Sequence, residues 1–199
     1  MSIWIADSLG IFLRKVAVDY VRYEYFRYVL REIPKDKDLA KIDKKLIETY
    51  EISFERYKRF RLKRKGKRKI AYVRYKHHFV LLATHGESEA FDRIRYYDIR
   101  ESPLHFKGYT ISTDRNNRVR VTIGKKRWKR IVEAGDKISL HNYRKVYGYI
   151  QSVGKIKFPG ILNQQVELFN RINKKRRVAG LPEIKVRPLF LQTRSYYHE

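Results

Sequence analysis

The sequence predicts an α+β fold: an N-terminal basic helical hairpin, then a small mixed or antiparallel sheet with C-terminal helices packed on it. Apolar residues recur at helical spacing through residues 9–60. Residues 70–83 are rich in β-branched and aromatic side chains, and residues 106–124 alternate between apolar and polar ones. Apolar residues make up 43% of the 199 residues, which is enough for a folded core.

The N-terminal part predicts two antiparallel helices. Asp7 or Ser8 can cap a first helix that ends near Ile33, immediately before a proline. A short polar turn follows, and Asp36 or Asp38 can cap a second helix over residues 39–62. We therefore expect a hairpin with a basic tip.

The sheet is expected from two later segments. Residues 70–83 predict one long strand, and its second half is apolar on both faces, which indicates a central position. Residues 106–124 predict a β-hairpin whose turn is Arg115-Asn116-Asn117, because asparagine tolerates positive φ.

The C-terminal part predicts three helices. The first covers residues 125–135 and ends near Gly135, the second covers 139–154 and can be capped by Ser139, and the third covers 161–178. Gly180 is the expected stop of the last helix. The tail, residues 184–199, is expected to add an edge strand. We expect a hairpin subdomain over residues 1–66 and an α+β core over 67–199, which could also form one continuous domain.

Charge is the strongest functional signal. Lys and Arg number 47 against 21 Asp and Glu, a net charge of +26, and nine of the twelve residues 58–69 are cations. A compact domain with this charge repels itself, and nucleic acid is the usual polyanion that relieves such repulsion. The chain has no cysteine, which excludes disulfides, thiolate metal sites and cysteine nucleophiles.

Two groups of cations are the expected phosphate contacts. One lies in the basic run, and the other spans the β-hairpin and the helix after it. Cations in the first turn of a helix oppose its macrodipole, whereas free N–H groups there favour an anion. A bound phosphate explains that arrangement better than helix stability does. The expected contacts are Lys63, Arg64, Lys65, Lys67, Arg68, Arg118, Arg120, Lys125, Lys126, Arg127, Lys129 and Arg130.

Aromatic residues are frequent among the cations, with 16 Tyr, 10 Phe and 2 Trp. Most are expected in the core, and the rest as platforms on which bases stack. The expected stacking residues are Tyr57, Phe60, Tyr72 and Trp128. We therefore expect a protein that binds DNA or RNA, of the mobile-element, plasmid or ribonucleoprotein type.

The alternative is an enzyme that processes nucleic acid, either a metal-dependent nuclease or a Tyr-type strand transferase. Its candidate catalytic residues are His78, His85, Glu101 and Tyr147. His78 and His85 could meet if the chain turned between them, and Tyr147 could act as the nucleophile. Only this alternative implies a cofactor, Mg²⁺ or Mn²⁺. Otherwise we expect no metal and no small-molecule cofactor. A third class is an architectural component that binds RNA or acidic proteins.

Residues 73–91, VRYKHHFVLLATHGESEAF, resemble the palm segment of reverse transcriptases. His77 and His78 stand where the palm has its two metal-binding aspartates. Two-metal phosphoryl transfer needs carboxylates, so an active polymerase is excluded.

The N-terminal sequence MSIWIADSLG lacks the pattern of a secretory signal, and no apolar run approaches the ~20 residues of a membrane span. We expect an intracellular protein of the cytoplasm or nucleoid with no membrane partner. The oligomeric state is left open.

Overall fold

The computed structural model describes residues 3–52, 55–153 and 156–185, without the side chains of Arg56 and Lys63. It contains both helices and antiparallel sheets, which confirms the α+β class. The described residues group into two compact units. The first takes those of Met1–Leu104 and Ile111–Val119, and the second those of His105–Thr110 and Arg120–Glu199. This division differs from the expected boundary after residue 66.

The first unit is built on a four-stranded sheet of order β2-β3-β1-β4. The strands are β1 (Arg27–Glu32), β2 (Ile70–Tyr75), β3 (His78–Ala83) and β4 (Tyr97–Asp98), and the short helix α4 (Glu89–Asp92) lies between β3 and β4 in the chain. All neighbours are antiparallel. Because β3 lies between two strands and is covered on both faces, five of its six residues are buried. The central position expected for the apolar half of residues 70–83 is therefore confirmed.

Residues 70–83 form a hairpin, so the single long strand was a wrong prediction. Tyr75 pairs with His78, and Lys76 takes a φ of 54° in the turn between β2 and β3. Tight hairpin turns with positive φ usually carry Gly or Asn. Lys76 gives no such signal, which explains why the sequence hides the turn.

The N-terminal helical hairpin was also wrong, because its first arm ends early. Helix α1 (Leu9–Arg14) continues as a π-helical turn over Lys15–Tyr20 and a 3₁₀ turn over Val21–Tyr23. Ser8 caps it as expected, since its Oγ accepts from the Ile11 amide at 3.2 Å. The following β1 pairs along its whole length with β3, so tertiary pairing overrides the helical periodicity there.

The second arm breaks into α2 (Leu39–Thr49) and α3 (Arg56–Arg64). Asp38 caps α2, and its Oδ1 accepts from the Ala40 amide at 2.9 Å. After α2, Glu51 adopts a φ of 47° and Ile52 is buried in the core. A continuous helix would not place Ile52 there, so burial of this side chain accounts for the break.

Helix α2 covers one face of the sheet. Its Leu39, Ile42 and Leu46 pack against a buried cluster that includes Tyr72 and Phe79. Strand residues alternate between faces, so Tyr75 lies on the face opposite Tyr72. There its ring contacts Phe12 of α1, with ring centroids 6.1 Å apart. The β1 strand and α2 belong to the same core as β2 and β3.

A buried ion pair joins α2 to β2. The Arg74 guanidinium donates to Asp43 Oδ1 at 2.7 Å and Oδ2 at 2.9 Å, and Tyr72 Oη donates to Oδ1 at 2.5 Å. Asp43 and Arg74 are 5% and 8% exposed. Burial, followed by the bond to Asp43, raises the pKa of Tyr72 far above its usual range. This network fixes α2 on the sheet.

The second sheet has the order β5-β6-β7, with β5 (Leu104–Phe106), β6 (Tyr109–Thr113) and β7 (Val119–Ile123). The expected β-hairpin is confirmed. In its turn Asp114 Oδ1 accepts from the amides of Asn116 and Arg118, and Asn117 has a φ of 58°.

The second unit has three helices, α5 (Lys125–Ile138), α6 (Tyr143–Val153) and α7 (Pro159–Val178). Gly135 does not end α5. It lies at a close helix contact, where a Cβ would be 2.8 Å from Leu168 Cδ1. Asn142, and not Ser139, caps α6. Gly180, with a φ of 68°, follows α7 as expected. Beyond residue 185 the expected edge strand lies outside the described residues.

Helix α7 is held against β7 by backbone contact. A Cβ on Gly160 would lie 2.5 Å from the Val121 carbonyl oxygen. The Gln164 amide accepts from the Ile123 N–H at 2.7 Å and donates to its C=O at 3.1 Å.

Arg176 is 2% exposed and donates to the carbonyls of Pro182, Ser139 and His141.

A cluster of charges joins α5 to α7 and predicts a pH dependence. Arg171 and Lys175 lower the pKa of Asp136 from 3.8 to about 2. The stabilisation is therefore complete above about pH 4 and is lost as the pH falls towards 2. We expect the difference in free energy of unfolding between wild type and Asp136→Asn to decrease as the pH falls from about 4 to 2. Denaturant unfolding in a Trp4→Phe background, followed by Trp128 fluorescence, measures it.

The matched control is Glu133→Gln on the same helix. Its carboxylate is exposed and lies 4.0 Å from Lys129, so its removal should change little. A difference between wild type and Asp136→Asn that stays constant from pH 5 to 2.5 would contradict the prediction.

Candidate nucleic-acid interface

The basic run folds as α3 and the loop after it, and most of its side chains face solvent. We call the exposed residues of this segment the α3 surface: Tyr57, Lys58, Phe60, Arg61, Arg64, Lys65 and Lys67. Among the described residues, Lys58, Arg64, Lys65 and Lys67 form no ion pair with a carboxylate. Their charge is therefore available to a ligand.

Two side chains of α3 point towards the rest of the first unit and hold the helix in place. Arg59 is half-buried and hydrogen-bonds the hydroxyl of Tyr25, whose pKa is raised by burial and lowered in part by this arginine. Leu62 lines a cavity of about 370 Å³ together with Tyr50 and Ile70. Arg59 and Leu62 thus attach α3 to its own unit, and the exposed positions form the α3 surface.

The loop after α3 is fixed by backbone bonds to residues 86–87. The Arg68 amide donates to the Glu87 carbonyl at 3.0 Å, and the Glu87 amide donates to Gly66 at 3.4 Å. Gly86 has a φ of 127°, and a Cβ there would lie 2.8 Å from the Arg68 nitrogen. The close approach of the two chains therefore requires glycine at this position.

Arg68 was expected to contact phosphate, and the structure corrects this. Its side chain is buried, and its guanidinium donates to the Gly86 carbonyl at 2.7 and 3.0 Å and to Asp92 at 2.5 Å. It also lies over the rings of Phe91 and Tyr96. Arg68 is thus a structural residue. Lys63 lies in α3, but its side chain is outside the described residues.

The second expected group lies on α5 and β7. The α5 surface comprises Lys125, Lys126, Arg127, Lys129 and Arg130, and all five side chains are exposed. Gly124 precedes the first turn of α5 and provides no side-chain cap for its amides. On the opposite side of α5, Trp128, Ile131 and Val132 pack against the core.

Arg118 and Arg120 are exposed beside β7, as expected. Two residues of the α5 surface have neighbours of their own. Arg127 lies 4.7 Å from the centroid of the Tyr109 ring, and Lys129 lies 4.0 Å from Glu133. The Tyr109 ring is buried, so only the arginine of the first pair faces solvent. Lys129 and Glu133 are both exposed, and their pair contributes little to stability. The cations of the first turn and the backbone amides lie at the same end of α5, and both would attract an anion there.

The four expected stacking residues divide evenly. Tyr57 is 71% exposed and Phe60 is 57% exposed, so both rings are accessible. Tyr72 is fully buried and bonded to Asp43, so it cannot stack on a base, whereas Trp128 packs against the second core and is only partly buried. Tyr57, Phe60 and Trp128 are each flanked by cations, so their neighbours do not distinguish the exposed rings from the packed one. Tyr72 stands between two apolar residues, which indicates burial.

The candidate catalytic histidines do not meet. His78 begins β3, with its Nε2 4.0 Å from Glu32 Oε1. His85 is exposed and follows the other end of the same strand. At about 3.3 Å per residue, the two are roughly 20 Å apart. The expected turn that would bring them together is therefore absent from this segment.

The other catalytic candidates are also scattered. Glu101 is exposed in the turn after β4, and its neighbour Asp98 is held by Arg100, which lowers the pKa of that carboxyl. Tyr147 lies in α6, where it stacks on Tyr143 at 6.1 Å and packs against the second core. In the part of the chain that the structure describes, no three His, Asp or Glu side chains are grouped to hold a metal ion.

No family model, no curated protein and no solved structure matches this chain. Within the described ranges, none of the helices has the length and apolar content needed to span a membrane.

Proposed function

We propose that this protein binds nucleic acid, with the α3 surface and the α5 surface contacting phosphates. The observation that carries the proposal is the exposure of the α3 cations, four of which have no carboxylate partner among the described residues. Lysine and arginine at this density create a positive potential that a compact domain tolerates best when a polyanion is bound.

The second group supports the same function through different chemistry. Lys125, Lys126 and Arg127 occupy the first turn of α5, where cations weaken a helix. Free amides at that end would bind a phosphate together with these side chains. Phosphate contacts position a protein without reading sequence, so binding is expected to be largely independent of base sequence. Such binding requires no metal and no small-molecule cofactor.

The proposed role is that of a binding component of a mobile element, a plasmid or a ribonucleoprotein. A nuclease or strand transferase remains the alternative. The separation of His78 from His85 and the engagement of Asp92 and Asp98 by arginines favour the binding protein. Incubating labelled single strands and duplexes with Mg²⁺ or Mn²⁺ tests for cleavage directly.

The test of the proposal is the dependence of affinity on salt. We expect log affinity for duplex DNA to fall linearly against log salt, with a slope of about −7 if eight phosphates are neutralised. Fluorescence anisotropy with single-stranded DNA, duplex DNA and RNA of equal length measures the slopes. A neutral-backbone oligomer of the same base sequence is the control. A slope near zero on all three nucleic acids would remove the proposal.

A further inference from the structure

We infer that the α3 surface binds unpaired bases, so that its preferred ligand is single-stranded nucleic acid. This inference rests on the proposed function and adds the class of ligand. It comes from the two rings that α3 exposes and from the charges around them.

Tyr57 and Phe60 lie on the same side of α3. Residues three apart on a helix are neighbours, with Cβ atoms about 5–6 Å apart. Their side chains are 71% and 57% exposed, although the same helix turns Leu62 towards the first unit. An aromatic ring left in water forgoes the free energy of burial, whereas Leu62 of the same helix is partly buried. Two rings on the solvent side are therefore a feature to be explained by a ligand.

The residues beside the two rings are cations. Lys58 is adjacent to Tyr57, and Arg61 follows Phe60, with its guanidinium 5.7 Å from the Tyr57 ring centroid. Arg64 lies one turn beyond Phe60. The complementary ligand carries closely spaced negative charges and flat apolar faces, and a polynucleotide carries both.

Base pairing decides between the two forms of that ligand. In a duplex the faces of the bases are covered by stacking, and only their edges are accessible in the grooves. Unpaired bases expose their faces and can stack on aromatic side chains, whatever the sequence. On a duplex the rings of Tyr57 and Phe60 would have no base faces to stack on, and the cations alone would contact the backbone.

The experiment compares four probes: a single-stranded 12-mer, an abasic 12-mer with the same backbone, a 12-bp duplex and vesicles of phosphatidylserine and phosphatidylcholine. The variants are Tyr57→Ala with Phe60→Ala, and the same pair changed to Leu. The matched control is Tyr23→Ala, a tyrosine in the first unit that is 59% exposed and lies outside α3. Circular dichroism confirms that each variant is folded.

We expect the Ala pair to weaken binding to the single strand by roughly 25-fold or more, since each of its two lost rings contributes roughly 5- to 150-fold. Binding to the abasic strand and to the duplex should be unchanged, as should all binding by Tyr23→Ala. The Leu pair should behave like the Ala pair, because leucine is apolar but has no aromatic face.

Two results would overturn the inference while the proposed function stands: equal, salt-dependent affinity for normal and abasic strands, or full recovery by the Leu pair. Tighter binding to the vesicles than to the single strand, lost in the Ala pair, would assign the rings to a lipid surface. Salt-independent binding to every nucleic acid would remove both proposals together.

Discussion

Replacing Lys58, Arg61, Arg64 and Lys65 by Gln should abolish most of the nucleic-acid affinity. Each phosphate contact contributes about 0.7 to the salt slope on single strands and about 0.9 on duplexes, so four contacts account for a slope of about 3. The electrostatic contribution fades near 1 M salt, and 0.1 M is one decade lower. We therefore expect a loss of roughly 1,000-fold at 0.1 M salt, measured by anisotropy titrations at several salt concentrations.

The chain offers a control with the same change in charge. Arg31, Lys35, Lys41 and Lys45 are exposed cations of the first unit that lie outside α3. Replacing these four by Gln should leave the slope nearly unchanged. Equal losses in the two variants would show that the net charge of +26 acts as a diffuse field. The α3 surface would then have no special role.

Asp43→Ala should destabilise the first unit by about 3–5 kcal/mol, because it leaves the Arg74 guanidinium buried without its carboxylate. Tyr72 loses its acceptor in the same variant. Urea unfolding in a Trp128→Phe background, followed by Trp4 fluorescence, isolates this unit, since Trp4 packs against its core.

Two further variants show whether the buried charge is the cause. Asp36→Ala removes an exposed carboxylate that lies 3.3 Å from Lys37 and should cost less than about 1 kcal/mol. Changing Asp43 to Leu together with Arg74→Met and Tyr72→Phe removes every buried polar group of the network, and stability should largely return. If the triple variant is as unstable as Asp43→Ala, then lost packing explains the effect.

The sequence predicted those elements whose signals are local. The β-hairpin at residues 109–123 combines alternation with asparagines in its turn, and α7 has a proline at its start and a glycine after its end. The errors lie where distant residues decide. Residues 27–32 have helical spacing, yet they form β1 because β3 and β4 offer strand partners. Lys76 makes a tight turn with a residue type that does not indicate one.

The same distinction applies to the candidate site. The density of cations predicted that residues 58–69 would present a basic surface, and the exposure of Arg64, Lys65 and Lys67 agrees with it. Sequence could not show that Arg68 turns inward, because its partners, Gly86 and Asp92, are 18 and 24 residues away. Lys58 and Arg61 belong to the α3 surface but were not among the expected contacts. The helical phase of the run could have identified them, since Arg59 and Leu62 point inward.

The position of Arg68 affects how mutational data on this segment should be interpreted. Its guanidinium joins the strand after α3 to the Gly86 carbonyl and to Asp92, so its removal would shift neighbouring groups that are proposed to contact the ligand. An alanine scan scored only by retention on a polyanion column would place Arg68 beside its solvent-facing neighbours. Melting temperature, recorded on the same samples, distinguishes a scaffold defect from a lost contact.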